Sequence, residues 1–116
     1  MPTVLIVDDH PSFRASARAL LEAEGFVVVG EAENGTEALV VAKEVHPDVV
    51  LLDVQLPDFD GFEVAARLTA NGAAPVVVLT SSRDGSDFGH LVPDSGARGF
   101  VPKAELSGEA LTALLS

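Results

Sequence analysis

Val49-Val50-Leu51-Leu52-Asp53 is four apolar residues in a row closed by a carboxylate, with Pro57 and Asp60-Gly61 close behind it. A strand with one wet face alternates apolar and polar residues. An unbroken run is covered on both faces, as strands of parallel sheets are. The pattern recurs outward from there, at Val4-Leu5-Ile6-Val7, Phe26-Val27-Val28-Val29 and Val76-Val77-Val78-Leu79, with a shorter run at Gly99-Phe100-Val101. Between the runs the apolar spacing turns helical. Phe13, Ala17, Leu20 and Leu21 share one helical face, with Pro11 suited to a first helical position and Gly25 to a stop. Asn34 and Glu37 form a capping pair for a helix over 35–45 that turns Ala38, Leu39, Ala42 and Val45 to one side. Asp60 opens a third helix to about Ala70, and Ser107 a last one to Leu115. Gly35 and Gly61 read as turn positions that need permissive dihedrals. The segment 84–95 has to supply the remaining helix, yet it contains Gly85, Gly89 and Pro93. Proline alone costs about 3 kcal/mol in a helix interior, so a short or irregular element is expected. Five strands alternating with five helices through right-handed crossovers make one doubly wound α/β domain over 1–116.

Composition narrows the function. The chain has 116 residues, 47% of them hydrophobic, which fits a single compact domain that needs no staples. With no cysteine, zinc-ribbon, thioredoxin-like and cysteine-nucleophile chemistries fall away. A net charge of −11 repels phosphate backbones, so direct nucleic-acid binding by this domain is not expected. No signal-peptide pattern and no apolar run of spanning length occurs, and a cytoplasmic location without membrane contact is the expectation.

In such sheets ligands sit at the carboxyl ends of the strands, where the strand order reverses. Asp8 and Asp9 follow the first run, Asp53 the third, Thr80, Ser81 and Ser82 the fourth, and Lys103 lies just past the fifth. Three carboxylates in contact repel, and a cation must join them or a proton must neutralise one. An oxygen-only donor set, with no histidine or thiol expected nearby, favours a hard ion, most simply Mg²⁺. A dication beside an ionised Asp53, with an ammonium and a hydroxyl opposite, is a receptacle for a phosphoryl group. Asp53 is then the candidate nucleophile.

Val7-Asp8-Asp9, the Asp53 to Gly61 stretch with Pro57, Leu79-Thr80-Ser81 and Gly99-Phe100-Val101-Pro102-Lys103 together resemble the chemotaxis-regulator-like receiver domains of two-component response regulators. The resemblance spans essentially the whole chain. It implies a flavodoxin-like three-layer sandwich with strand order 2-1-3-4-5. Asp53 then accepts phosphate from a sensor histidine kinase or a histidine phosphotransfer protein. It implies that Asp8, Asp9, Asp53 and the backbone carbonyl of Gln55 hold Mg²⁺, and that Lys103 pairs with Asp53 or its phosphate. Thr80 and Phe100 become the switch pair, while Gln55 and Ser82 tune autodephosphorylation. Such a domain phosphorylates and dephosphorylates itself but turns over no external substrate.

Two features depart from the family pattern. Ala104 stands where many receivers have proline after the lysine; a cis bond there would cost about 3–4 kcal/mol, and the isomer stays open. The weak fourth helix sets a homodimer through that face in question. Two rival readings are an Asp-nucleophile phosphatase of the haloacid dehalogenase type, which wants an acid where Gln55 stands, and an interaction module that keeps the fold without the chemistry. His10, His46 and His90 read as surface residues. The stretch Pro102 to Leu106 is similar to receivers that precede a helix-turn-helix output domain, so the output partner stays unnamed.

Overall fold

The computed structural model describes residues 2–70, 75–82 and 91–115. In chain order the elements are β1 (Thr3–Val7), α1 (Pro11–Ala23), β2 (Val27–Ala32), α2 (Gly35–Val45), β3 (Val49–Asp53), α3 (Gly61–Leu68), β4 (Val76–Ser81), α4 (Leu91–Asp94), β5 (Gly99–Pro102) and α5 (Gly108–Leu115). The five strands form one parallel sheet in the order β2-β1-β3-β4-β5. This is the flavodoxin-like arrangement, with the reversal of direction between β1 and β3.

The apolar runs are divided by parity between two cores, because successive side chains of a strand point to opposite faces. Leu5, Val7, Val50, Leu52, Val77 and Leu79 pack with Ala38 and Ala42 of α2 and Val64, Ala65 and Leu68 of α3. Val4, Ile6, Val49, Leu51 and Val78 pack with Ala17 and Leu21 of α1 and Leu111 of α5. Each run feeds both layers, and this is why it carries no polar residue.

β2 differs from its expectation. It is an edge strand displaced along the sequence to Val27–Ala32, and Val27 is 42% exposed. Phe26 belongs to the turn that ends α1, its amide bonded to the Leu21 carbonyl at 3.0 Å. An apolar run therefore marks a strand here without marking cover on both faces.

The helix ends follow local chemistry. Gly25 has φ +96°, a conformation that favours glycine, just past α1. The Asn34 side chain accepts from the Glu37 amide at 2.8 Å, while Glu37 accepts from the amide of Glu33, one residue before the cap. Asp60 accepts from the Glu63 amide at 2.8 Å and Ser107 from the Ala110 amide at 3.0 Å. α3 stops at Leu68, short of Ala70, where Thr69 turns its hydroxyl onto the Ala65 carbonyl.

Gly35 and Gly61 require a different account from the one their position suggested. Neither has positive φ. Both lie where backbone must come close: a Cβ on Gly35 would meet Phe59 Cδ2 at 2.8 Å, and one on Gly61 would meet the Asp53 carbonyl oxygen and Val54 Cα. Of the expected helix over 84–95, Leu91–Asp94 is a single turn containing Pro93; Gly85 and Gly89 lie outside the described residues. Among the described residues no helix is long and apolar enough to cross a membrane.

Asp58 anchors the β3–α3 loop to the start of α2. Its carboxylate accepts from the Gly35 amide (2.7 Å), the Thr36 amide (3.0 Å) and the Thr36 hydroxyl (2.7 Å). Desolvation pulls its pKa up, but the Thr36 and Gly35 donors outweigh that and hold it down at about 2. A carboxyl depressed in the folded state stabilises the fold above its unfolded pKa and loses that contribution as pH falls through the folded one. Asp58→Ala is therefore expected to lower Tm by a few degrees at pH 6. The gap to wild type should close between about pH 4 and pH 2, followed by circular dichroism. A gap unchanged over that window would show that the carboxylate charge is not what caps α2.

Candidate functional site

β1 and β3 deliver their carboxylates side by side because they are neighbours in register, Val7 opposite Leu52. Asp8, one residue past β1, is fully buried, and its amide still bonds the Ala32 carbonyl at 3.0 Å. Arg14 of α1 donates to the Asp8 carbonyl at 2.6 Å and fixes that turn from above. Asp8 Oδ1 accepts from the His10 amide at 2.8 Å. Asp8 Oδ2 is 2.6 Å from Lys103 Nζ, a contact of charge without a well-directed hydrogen bond.

Asp53 closes β3 and is buried. Its Oδ1 accepts from the Gln55 amide at 3.0 Å and its Oδ2 from Lys103 Nζ at 3.2 Å. Thr80 lies opposite Asp53 in the β3–β4 ladder, fully buried, and its Oγ1 has no hydrogen-bond partner among the described residues. Lys103 comes from the 3₁₀ turn after β5, with its ammonium 4.5 Å from the centroid of the Phe13 ring. Asp9 is at the rim, 38% exposed.

The two buried acids are driven apart. Burial raises Asp8, but the Lys103 ammonium and the His10 amide outweigh it and hold its pKa below the usual carboxylate range. At Asp53 burial dominates. The Asp8 charge adds to it, and the Gln55 amide with Lys103 only partly offsets them, so its pKa lies above the usual range. Lys103 is lowered by burial and raised more by Asp8 and Asp53, ending above its ordinary value. Among the described residues one ammonium faces three carboxylates, and the remaining negative charge favours a cation.

The donor set fits one. Asp8, Asp9, His10 and Asp53 each offer a ligand atom, and all four atoms lie within 4.8 Å of one another. This overturns the expectation that no histidine is near: His10 Nδ1 is 3.0 Å from Asp8 Oδ1 and 3.1 Å from Asp9 Oδ1. The reason is the turn itself, since the residue after the acid pair is folded back by its own amide onto Asp8. His46 is exposed as expected and caps α2 in the left-handed region; His90 lies outside the described residues.

Of the residues singled out from sequence, Asp8, Asp9, Asp53, Thr80 and Lys103 share this pit. Gln55 and Ser82 are exposed at its rim. Phe100 is half-buried on β5, paired with Leu79 and packed against the α2–α3 core. The Lys103–Ala104 bond is trans. Arg14, Phe13 and Asp58 were not legible as site-supporting residues. The partners of Phe13 and Asp58 are distant in sequence, and Arg14 bonds a backbone carbonyl six residues back, a partner that no residue type announces.

Residues 4–115 match the response regulator receiver domain family. The chain is 44% identical over 110 residues to the transcription regulator BvgA of Bordetella pertussis, an alignment covering 95% of this chain and 53% of that protein. Among solved structures, a two-component response regulator of the LuxR family from Aurantimonas sp. SI85-9A1 is similar with TM-score 0.89 and 32% identity, covering 99% of this chain and 85% of that one. The signal receiver domain of the response regulator NarL from Mycobacterium tuberculosis is similar with TM-score 0.87 and 34% identity, covering 99% and 97%. The chain spans about half the length of the curated regulators it matches. Strand order, the buried acid pair with its lysine, and the family match over nearly every residue agree: this chain belongs to the receiver domains of two-component response regulators.

Proposed function

We propose that the domain is a phosphorylation-dependent switch in which Asp53 accepts a phosphoryl group from a sensor histidine kinase or a histidine phosphotransfer protein. The observation that carries this reading is the Asp53 carboxylate, buried at a strand end between Lys103 and Asp8 and held above its ordinary pKa. The carboxylates of Asp8, Asp9 and Asp53, with the Gln55 carbonyl, are the residues that would hold Mg²⁺. Bound there, Mg²⁺ supplies positive charge against the phosphoryl oxygens.

An Asp53 oxygen attacks phosphorus in line; the phosphorus–nitrogen bond of the donor phosphohistidine breaks, and its electron pair leaves with the imidazole. Lys103 then pairs with the new phosphate. The Thr80 hydroxyl, without a partner among the described residues, supplies a hydrogen bond to it, and Phe100 follows as the coupled aromatic. Gln55 and Ser82, at the rim, set the lifetime of the aspartyl phosphate by their hold on approaching water. Hydrolysis in place is the only turnover, with no external substrate. The named relatives are transcription regulators, which supports an output through DNA-binding regulation by another part of a longer cytoplasmic protein, with dimerisation open to the switch. The acidic domain itself makes no contact with nucleic acid.

Intact-mass measurement after acetyl phosphate with Mg²⁺ tests this. Wild type is expected to gain one phosphoryl group, Asp53→Asn none, and EDTA to prevent the gain. Equal modification of the Asn variant would move the acceptor elsewhere and end the proposal.

A further inference from the structure

His10 is 64% exposed, and a side chain so placed ordinarily turns to solvent. Here its Nδ1 is instead 3.0 Å from Asp8 Oδ1 and 3.1 Å from Asp9 Oδ1. Two adjacent ligands of an octahedral ion with bonds of about 2.1 Å stand about 3.0 Å apart (2.1 times the square root of two). His10 Nδ1 therefore already stands from each of the two oxygens at the separation of adjacent ligands on a single small ion, and all the donor atoms lie within 4.8 Å of one another. The fully buried Thr80 hydroxyl beside Asp53, unpartnered among the described residues, is a second mark of a site completed from outside the chain.

We propose that His10 is a metal ligand through Nδ1, and that with it the pit takes a borderline first-row dication, Zn²⁺ being the type, more tightly than Mg²⁺. The inference rests on reading Asp8, Asp9 and Asp53 as a metal-holding pit, and adds a nitrogen donor to it. Carboxylate oxygens alone suit Mg²⁺, Ca²⁺ and Mn²⁺, whereas imidazole suits Zn²⁺ and its neighbours, so one nitrogen shifts the preference. Zn²⁺ would bind Nδ1 of the neutral ring with the ring hydrogen on Nε2, and any proton displaced from Nδ1 passes to the buffer. Competition for the pit would make the ion bound, and with it the readiness of Asp53 to accept phosphate, depend on the ratio of the two metals.

Isothermal titration of the chain with ZnCl₂ and with MgCl₂, on wild type and His10→Ala, tests the assignment. His10 makes no side-chain bond to the start of α1, so the substitution leaves the fold intact. Expected are a Zn²⁺ affinity at least about tenfold above that for Mg²⁺, a loss of about 10- to 100-fold for Zn²⁺ in His10→Ala, and a change in Mg²⁺ affinity at least about fivefold smaller than that loss. On adding Zn²⁺, the ¹⁵N resonance of His10 Nδ1 should shift to the position of a metal-bound nitrogen. Unchanged Zn²⁺ affinity in His10→Ala, or a parallel fall for both metals without the ¹⁵N shift, overturns the proposal. So does Zn²⁺ binding that survives Asp8→Asn, since it would lie elsewhere. Failure of Mg²⁺ to bind wild type would count against the phosphoryl-acceptor reading, whereas normal Mg²⁺ binding with Zn²⁺ indifferent to His10 would count against His10 alone.

Discussion

Lys103→Met lowers the stability of the magnesium-free domain by roughly 3 kcal/mol at pH 7.5, the low end for breaking a buried pair. The lysine keeps some solvent contact, 17% of its side chain, and this moderates the loss. Methionine keeps much of the aliphatic stem but not the ammonium over the Phe13 ring, so the substitution removes mainly charge and the contacts that depend on it. What remains is Asp8 and Asp53, both buried, without the ammonium that stood 2.6 Å and 3.2 Å from them. The sign of the pH dependence follows from the two shifts. Asp8 is depressed in the fold and contributes stability above the unfolded carboxyl pKa; most of that depends on Lys103 and is lost in the variant. Asp53 is already raised, so its ionisation costs stability as pH rises from the unfolded pKa through the folded one, and without the ammonium this cost grows. The deficit of the variant should be largest at neutral pH and shrink toward pH 4, as urea denaturation in EDTA would measure. Millimolar Mg²⁺ should recover part of it by replacing the missing positive charge. A deficit that is the same at both pH values and indifferent to Mg²⁺ would make Lys103 a packing residue.

The fold was legible because the strands repeat one physical device. A run such as Val49 to Leu52 serves two cores at once, and a run serving two cores admits no polar residue until the strand emerges at the edge, where Asp53 stands. The acids were legible for the same reason, each being the first polar residue after such a run. Phe26-Val27-Val28-Val29 misled about burial, because an apolar run is compatible with an edge position when one helix covers part of it; Val27 shows the uncovered part. His10 is at the surface as expected, but the expectation of no histidine near the acids failed, because its Nδ1 is aimed by the backbone turn that Asp8 caps. Asp58, whose partners are 22 and 23 residues away, carries no local pattern at all. The short element expected in 84–95 is present in its described part as the single turn Leu91–Asp94 around Pro93, while Gly85 and Gly89 lie outside the described residues.

Gly61→Ala is the substitution that separates two explanations of the glycines and, with them, of how Asp53 is held. If glycine serves here for dihedral freedom, Gly25 is the sensitive position, since its φ is +96° and a Cβ there meets nothing within 4 Å. Alanine in such a conformation costs about 1–2 kcal/mol. If glycine serves for close approach, Gly61 is the sensitive one. Its Cβ would meet the Asp53 carbonyl oxygen, Val54 Cα at 2.6 Å and the Asp53 carbonyl carbon at 3.0 Å. All three are backbone atoms of the strand end that carries Asp53, and the Gly61 amide already bonds the Val54 carbonyl at 2.7 Å. Backbone cannot rotate aside as a side chain can, so the cost lies at or above the upper end of overpacking, about 3 kcal/mol or more. Gly35→Ala supplies the control. Its clashes, at 2.8 Å with Phe59 and 2.9 Å with Val64, are with side-chain atoms, of which the half-buried Phe59 yields more readily than the buried Val64, and about 1–2 kcal/mol is expected. The relief available to Gly61→Ala is a displacement of α3 from β3, and that would move Asp53 relative to Lys103. Phosphoryl uptake from acetyl phosphate should therefore slow in Gly61→Ala under conditions where the protein is still folded, and stay near wild type in Gly35→Ala. Urea denaturation that ranks Gly25→Ala as the most damaging of the three, or a folded Gly61→Ala with unchanged uptake, would reject close approach as the device that fixes Asp53.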